Sequence, residues 1–236
     1  MKILYIYPHP DDESFGPAHV MHKQIREGHE VYLLTLTKGG ATKKRFDLNL
    51  SIEEMGDVRY KEMLCVEKTL KLSGMTVLDL PDSGLKEMDP REIEKDVEDH
   101  IHKIKPDVVA TYAVHGISGF HDHLVSHSVV KSVFCRLKET AGYPKRFAMV
   151  TVDEQTSKES PHFKLNFSKA EEIDCIVTVE DQDMKALHDS LDCYESYKSV
   201  IEQSNIKGLL KKESVFELFQ ENFDPPINDL FDKLPG

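Results

Sequence analysis

Two apolar runs, KILYIYP from Lys2 to Pro8 and HEVYLLTLT from His29 to Thr37, flank a stretch of helical spacing, and this arrangement constrains the fold more than any other feature. Both alternations of KILYIY are apolar, as expected of a strand covered on both faces. From Phe15 to Glu27, Ala18, Val20, Met21 and Ile25 fall at helical spacing, and Gly28 stands where a helix commonly stops. Strand, helix, strand in so short a span is a βαβ unit, and its crossover requires parallel pairing.

The pattern repeats. A helix is predicted from Met55 to Leu72, followed by the strand MTVLDL, and Asp89 with Pro90 forms an N-cap and first turn for a helix carrying Ile93, Val97 and Ile101 on one face. PDVVATY is the next strand. A helix from His123 to Leu137, strands RFAMVTV and DCIVTVE, and a long charged helix from Asp183 to Ile201 complete the series. Such alternation predicts a Rossmann-like, doubly wound, mostly parallel α/β sheet flanked by helices, in a single domain spanning residues 1–236. The segment from Gln155 to Lys169 and a tail after Lys207 read as irregular.

At 236 residues with 39% hydrophobic content the chain can bury a substantial core, and its formal charge of −12 argues against a nucleic-acid partner. No run approaches the ~20 apolar residues of a membrane span, so no membrane partner is expected. Cys65, Cys135, Cys175 and Cys193 contain no C-x-x-C pair and, with no signal sequence apparent, read as buried thiols in a reducing cytoplasm.

In open α/β sheets ligands collect beyond the carboxyl ends of the strands, and there the reactive residues stand. PHPDDE follows the first strand, PDSGL the third, and AVHGISGFHDH the fourth. His9 and Asp12, three apart, face one side of a turn entering a helix, whereas Asp11 points away from them. A third ligand has to come from another loop, and HDH is the densest supply of imidazole. Two imidazoles and one carboxylate are the three-ligand shell of a catalytic zinc site that leaves a position open for water.

PHPDDE after a first strand, with a downstream Asp-His after a fourth, resembles the PIG-L/LmbE family of zinc-dependent deacetylases acting on N-acetylglucosaminyl compounds and related amides. LTLTKGG, RYKE, LPDSGL, PDVVATY, GISGFHDHLVSHSVV and KALHDS extend the resemblance to about Tyr197. The resemblance implies that His9, Asp12 and His123 bind one Zn2+, with Fe2+ as the competing ion, and that Asp11 is the general base. It also implies sugar contacts from Arg59 and Asp82. One position departs from the family: where members commonly read His-Pro-Asp-His, this chain reads Phe120-His121-Asp122-His123. The histidine used near the developing oxyanion is then replaced by His121 or His115, or its contribution is absent, and His121 is the first candidate.

Several features read as structural. His127 is a packed helix histidine, His19 and His22 have a solvated or helix-face role, His188 is as readily structural as functional, and KGGAT lacks the spacing of a phosphate-binding loop. The chain therefore reads as a cytoplasmic zinc-dependent hydrolase removing acetyl from a small N-acetylglucosamine-like molecule, with homo-oligomerisation left open. The rival readings are an amide hydrolase on a non-sugar scaffold and a zinc-binding protein that has lost activity.

Overall fold

The computed structural model describes residues 1–160 and 164–234. Strands β1 (Lys2–Tyr7), β2 (Glu30–Thr37), β3 (Gly74–Leu80), β4 (Val108–Tyr112) and β5 (Arg146–Thr151) run parallel in the spatial order β3-β2-β1-β4-β5. Ile3 to Tyr7 are fully buried, as the doubly apolar pattern of β1 requires. The order reverses beside β1, whose neighbours are β2 on one side and β4 on the other. That reversal opens a crevice at the carboxyl ends of β1 and β4.

Helices cover both faces. Along the chain come α1 (Ala18–Arg26), α2 (Lys44–Asp47), α3 (Ile52–Leu70), α4 (Pro90–Ile104), α5 (His121–Thr140), α6 (Glu154–Glu159), α7 (Asp181–Asp192), α8 (Lys198–Ser204) and α9 (Ile206–Leu209). One core joins α1, α3 and α7 to the sheet through Val20, Met21, Met63, Val66, Leu187 and Leu191; the other joins α4 and α5 through Ile93, Val97, Val130 and Phe134. Local signals set the ends: Ser51 and Glu54 form a reciprocal capping box on α3, and the Asp89 side chain accepts from the Arg91 N–H at the start of α4.

Four expectations are corrected. The tail after Lys207 is not all irregular, because β7 (Glu213–Leu218) enters the sheet antiparallel between β5 and β6 (Cys175–Thr178). The helix read from Asp183 to Ile201 is broken after Asp192, and a short 3₁₀ turn over Glu195–Tyr197 precedes α8. Within the segment 155–169, α6 is regular and residues 161–163 lie outside the described residues, as do 235–236 of the tail.

The cysteines are the fourth correction. Cys65 and Cys193 form a disulfide across a separation of 128 residues, Cys135 is exposed, and Cys175 alone is the buried thiol expected. The bond ties α3 to the segment just after α7, a contact that sequence spacing cannot reveal. We expect the denatured, unreduced protein to titrate two thiols, and reduction to lower stability by about 2–5 kcal/mol, read as a fall in Tm. Four titrated thiols would remove the bond. No helix among the described residues is long and apolar enough to cross a membrane.

Candidate functional site

The chain leaves β1 through a tight turn. Asp11 takes φ 86°, a left-handed conformation that Asp tolerates better than most residues, and its carbonyl accepts from the Ser14 and Phe15 N–H groups. This reversal sends the two aspartates apart. The Asp11 carboxylate meets Arg59 of α3 at 2.5 Å, and Arg59 also donates to the Pro10 carbonyl at 2.7 Å. Asp12 turns the other way, accepting from the His9 N–H at 2.8 Å and from the Tyr112 hydroxyl at 2.7 Å.

The loop after β4 supplies the other side. His123, in the first turn of α5, places Nε2 3.4 Å from Asp12 Oδ1, and its ring stacks on Tyr112 at 4.1 Å with the planes 6° apart. Its Nδ1 lies 2.9 Å from the Gly116 carbonyl oxygen. A carbonyl can only accept, so Nδ1 carries a proton, which leaves Nε2, on the Asp12 side, as the nitrogen a metal would meet. Gly116 is required there: it has φ 63°, and a Cβ would lie 2.8 Å from that of His123.

His9, Asp12 and His123 thus each bring a ligand atom within 4.8 Å of the others. A second set, His9 with Asp82 and Asp122, shares the same imidazole. His9 Nε2 is 3.2 Å from Asp122 Oδ2, leaving Nδ1 on the side of Asp12, at 3.6 Å from its Oδ2. A carboxylate behind a ligating histidine is the arrangement that fixes the ring and raises its basicity. Burial pushes the His9 imidazole down, but Asp122, Asp12 and Asp82 outweigh it and lift it to about 9. Burial likewise raises Asp12, and His123 and His9 overcome that to hold it below the usual carboxylate range.

Excess carboxylate around one imidazole creates a potential that favours a cation. Asp122 Oδ1, buried and without a partner among the described residues, adds to it. The donor set of two imidazoles and a carboxylate fits a zinc-sized ion. Asp11 differs from Asp12: burial raises it, and Arg59 offsets that only in part.

The other expected residues are placed as follows. Asp82 accepts from the Ala41 N–H at 2.6 Å and lies 3.4 Å from His9 Nε2, so its oxygens already have partners at the cavity edge. Arg59 is buried, held by Asp11 and Pro10, with its guanidinium 4.1 Å over the Tyr197 ring. His121 is not brought into the site. It is the outward residue of the α5 first turn, which sends Asp122 and His123 inward, and its side chain is exposed. His115 is half-buried, with Nε2 3.3 Å from Thr151 Oγ1 and away from the cluster. Phe120 is 55% exposed, its ring edge-on to His123.

His19 is a correction: it is 1% exposed, because α1 packs beneath α7 and reaches β7, where Ser214 meets its Nε2 at 3.2 Å. His22 pairs with the buried Asp183 at 2.8 Å. Missed altogether were Tyr112, Asp122 and Tyr194, whose hydroxyl donates to Glu13 at 2.6 Å and accepts from the Asp11 N–H at 2.8 Å. A strand-terminal tyrosine just before a histidine loop is the only prior signal, and it is weak. His9, Asp11, Asp12, Arg59, Asp82, Tyr112 and His123 line one cavity of about 900 Å3.

Fold and site define an open α/β protein with a candidate metal cluster at the crevice where its strand order reverses. Residues 4–134 match the PIG-L family, described as GlcNAc-PI de-N-acetylase, and the chain belongs to that family. It is 29% identical over 163 residues to the mycothiol S-conjugate amidase of Streptomyces coelicolor, covering 61% of this chain and 55% of that one. The chain therefore spans about half the length of that curated relative. In fold it is similar to a deacetylase of the teicoplanin biosynthetic pathway (TM-score 0.72, 14% identity, 94% of this chain and 99% of that one). It is also similar to GalB of Pseudomonas putida, a 4-carboxy-2-hydroxymuconate hydratase (TM-score 0.65, 10% identity, 94% and 97% covered).

Proposed function

We propose that this protein is a zinc-dependent N-deacetylase acting on a small molecule with an N-acetylglucosamine-like group. The observation that carries the reading is the convergence of His9, Asp12 and His123 within 4.8 Å, beside an Asp11 turned away from them. A divalent ion held by those three would polarise the acetamide carbonyl and lower the pKa of water towards about 7.

The chain's own residues do the rest. Asp11 takes the proton of the attacking water and is positioned for it by Arg59. Asp122 fixes the His9 ring, Gly116 fixes the proton on His123 Nδ1, and Tyr112 holds Asp12. Asp82 and Arg59 line the cavity within reach of a sugar's hydroxyls, where Arg59 Nε has no partner among the described residues. Water exclusion at the floor strengthens each of these contacts.

The fold also carries a hydratase, so the reaction has to be argued from the site. The test is release of acetate and free amine from N-acetylglucosaminyl compounds by zinc-loaded and Fe2+-loaded protein. Turnover of non-sugar acetamides alone would favour the amide hydrolase reading. Metal binding with no release from either class would favour a protein that has lost activity. With its side chain outside the cavity, His121→Ala is expected to leave kcat within about threefold of the parent, since an exposed residue off the site contributes no oxyanion contact. A tenfold or greater loss with metal retained would return His121 to the machinery.

A further inference from the structure

The cavity extends beyond what the cluster and a sugar require. The ligands stand at β1 and just after β4, yet the lining continues to β7, two strand positions past β4, where Val215 pairs with Thr151 at the carboxyl end of β5. At the usual strand spacing that is a reach of about 10 Å. An N-acetylhexosamine has about fifteen heavy atoms, whereas cavities approaching 1,000 Å3 hold drug-sized ligands.

The far lobe differs in character from the cluster. Val200, Ile206, Leu209 and Leu210 of the segment around α8 and α9 face it together with Val215. Of the ionic residues at its edge, Lys211 lies 3.8 Å from Asp153 and 3.6 Å from Glu159, while Glu213 is exposed. Within the lining stands His19, 1% exposed, whose Nδ1 has no partner among the described residues. Burial pushes that imidazole down to about 4, so it is neutral near pH 7. A buried polar atom left without a partner beside these aliphatic side chains marks a place where a ligand atom completes the hydrogen bonding.

We propose that this lobe is a second subsite that takes the non-carbohydrate part of the substrate, an uncharged aliphatic aglycone of about eight carbons filling the ~10 Å beyond the cluster, with His19 Nδ1 available to one polar atom along it. The sugar end of this assignment rests on the deacetylase reading; the apolar end rests on the lobe alone. Charged or purely polyhydroxylated aglycones are disfavoured there, because they would surrender hydration to aliphatic walls.

The test measures binding and turnover separately on the zinc-loaded full chain, with methyl, butyl, hexyl and octyl glycosides of N-acetylglucosamine below their micelle concentrations. Calorimetric Kd is expected to tighten about threefold per methylene from methyl to octyl. Val200→Trp and Leu209→Trp, each checked for folding by circular dichroism, should flatten that series while binding the methyl glycoside as the parent does. A flat series in the parent overturns the proposal, as does a steep series that either folded Trp variant leaves unchanged. Steep binding without amine release would defeat the deacetylase reading and leave the subsite standing; amine release with a flat series would do the reverse.

Discussion

His123→Ala is expected to remove almost all bound metal from the purified protein. A three-ligand site cannot spare a ligand without a large loss of affinity. Changes one layer further out already cost 10- to 100-fold, so we expect a weakening of about 10³-fold or more for the ligand itself. His123 also fills space, stacked on Tyr112 and bonded to Gly116, so stability should fall by about 2–4 kcal/mol as well. Elemental analysis after desalting decides the matter. Full occupancy in His123→Ala would place the ion at His9, Asp82 and Asp122 instead, the other set sharing the His9 ring. His9→Ala empties either set, so the two substitutions together identify the ligands.

Asp11→Asn should do the opposite: keep the metal and lose the reaction. Asn preserves the shape at the left-handed turn and removes the basicity, so kcat is expected to fall by roughly 10²- to 10⁴-fold. That corresponds to about 3–5 kcal/mol of transition-state stabilisation. The substitution also leaves the buried Arg59 without its counter-charge, and breaking such a pair destabilises by about 3–5 kcal/mol. Activity therefore has to be read at a temperature where circular dichroism shows the variant folded. Loss of zinc from Asp11→Asn would exchange the roles assigned to the two aspartates.

The parallel half of the sheet was legible because β1, β2 and β4 are covered on both faces and carry long apolar runs bounded by turn residues. β7 was not. Its sequence, ESVFEL, lies in a charged neighbourhood and has meaning only through pairing with β5 and β6. The break after Asp192 depends on contacts made far along the chain, among them the Tyr194 hydroxyl on Glu13 and the bond from Cys193 to Cys65.

The cluster residues were legible for a different reason. Imidazole and carboxylate just past strand ends have few structural uses, so residue type and position pointed to His9, Asp12 and the HDH loop, while the choice of His123 within that loop came from the family resemblance. Tyr112 was hidden because a tyrosine closing an apolar strand looks like core. Asp122 was hidden between two histidines that drew the attention. His19 was misplaced because a short helix reveals its buried stripe only when its neighbours are known, and one of those neighbours is β7.

β7 also determines how the molecule comes into being on the ribosome. β6 pairs with β7 and bridges Ile227, both later in the chain, and β5 has no partner on its outer side until β7 arrives. The nascent chain has therefore completed β5 and laid down β6 while both still present bare hydrogen-bonding groups. At ordinary synthesis rates that interval lasts several seconds, during which a hydrophobic strand fully buried in the finished protein stands as an unprotected sheet edge. The residues of the candidate metal cluster are all synthesised before this interval begins, so the vulnerable species is an unfinished protein with its candidate ligands already made and its flank open, the form that chaperones or self-association would meet first.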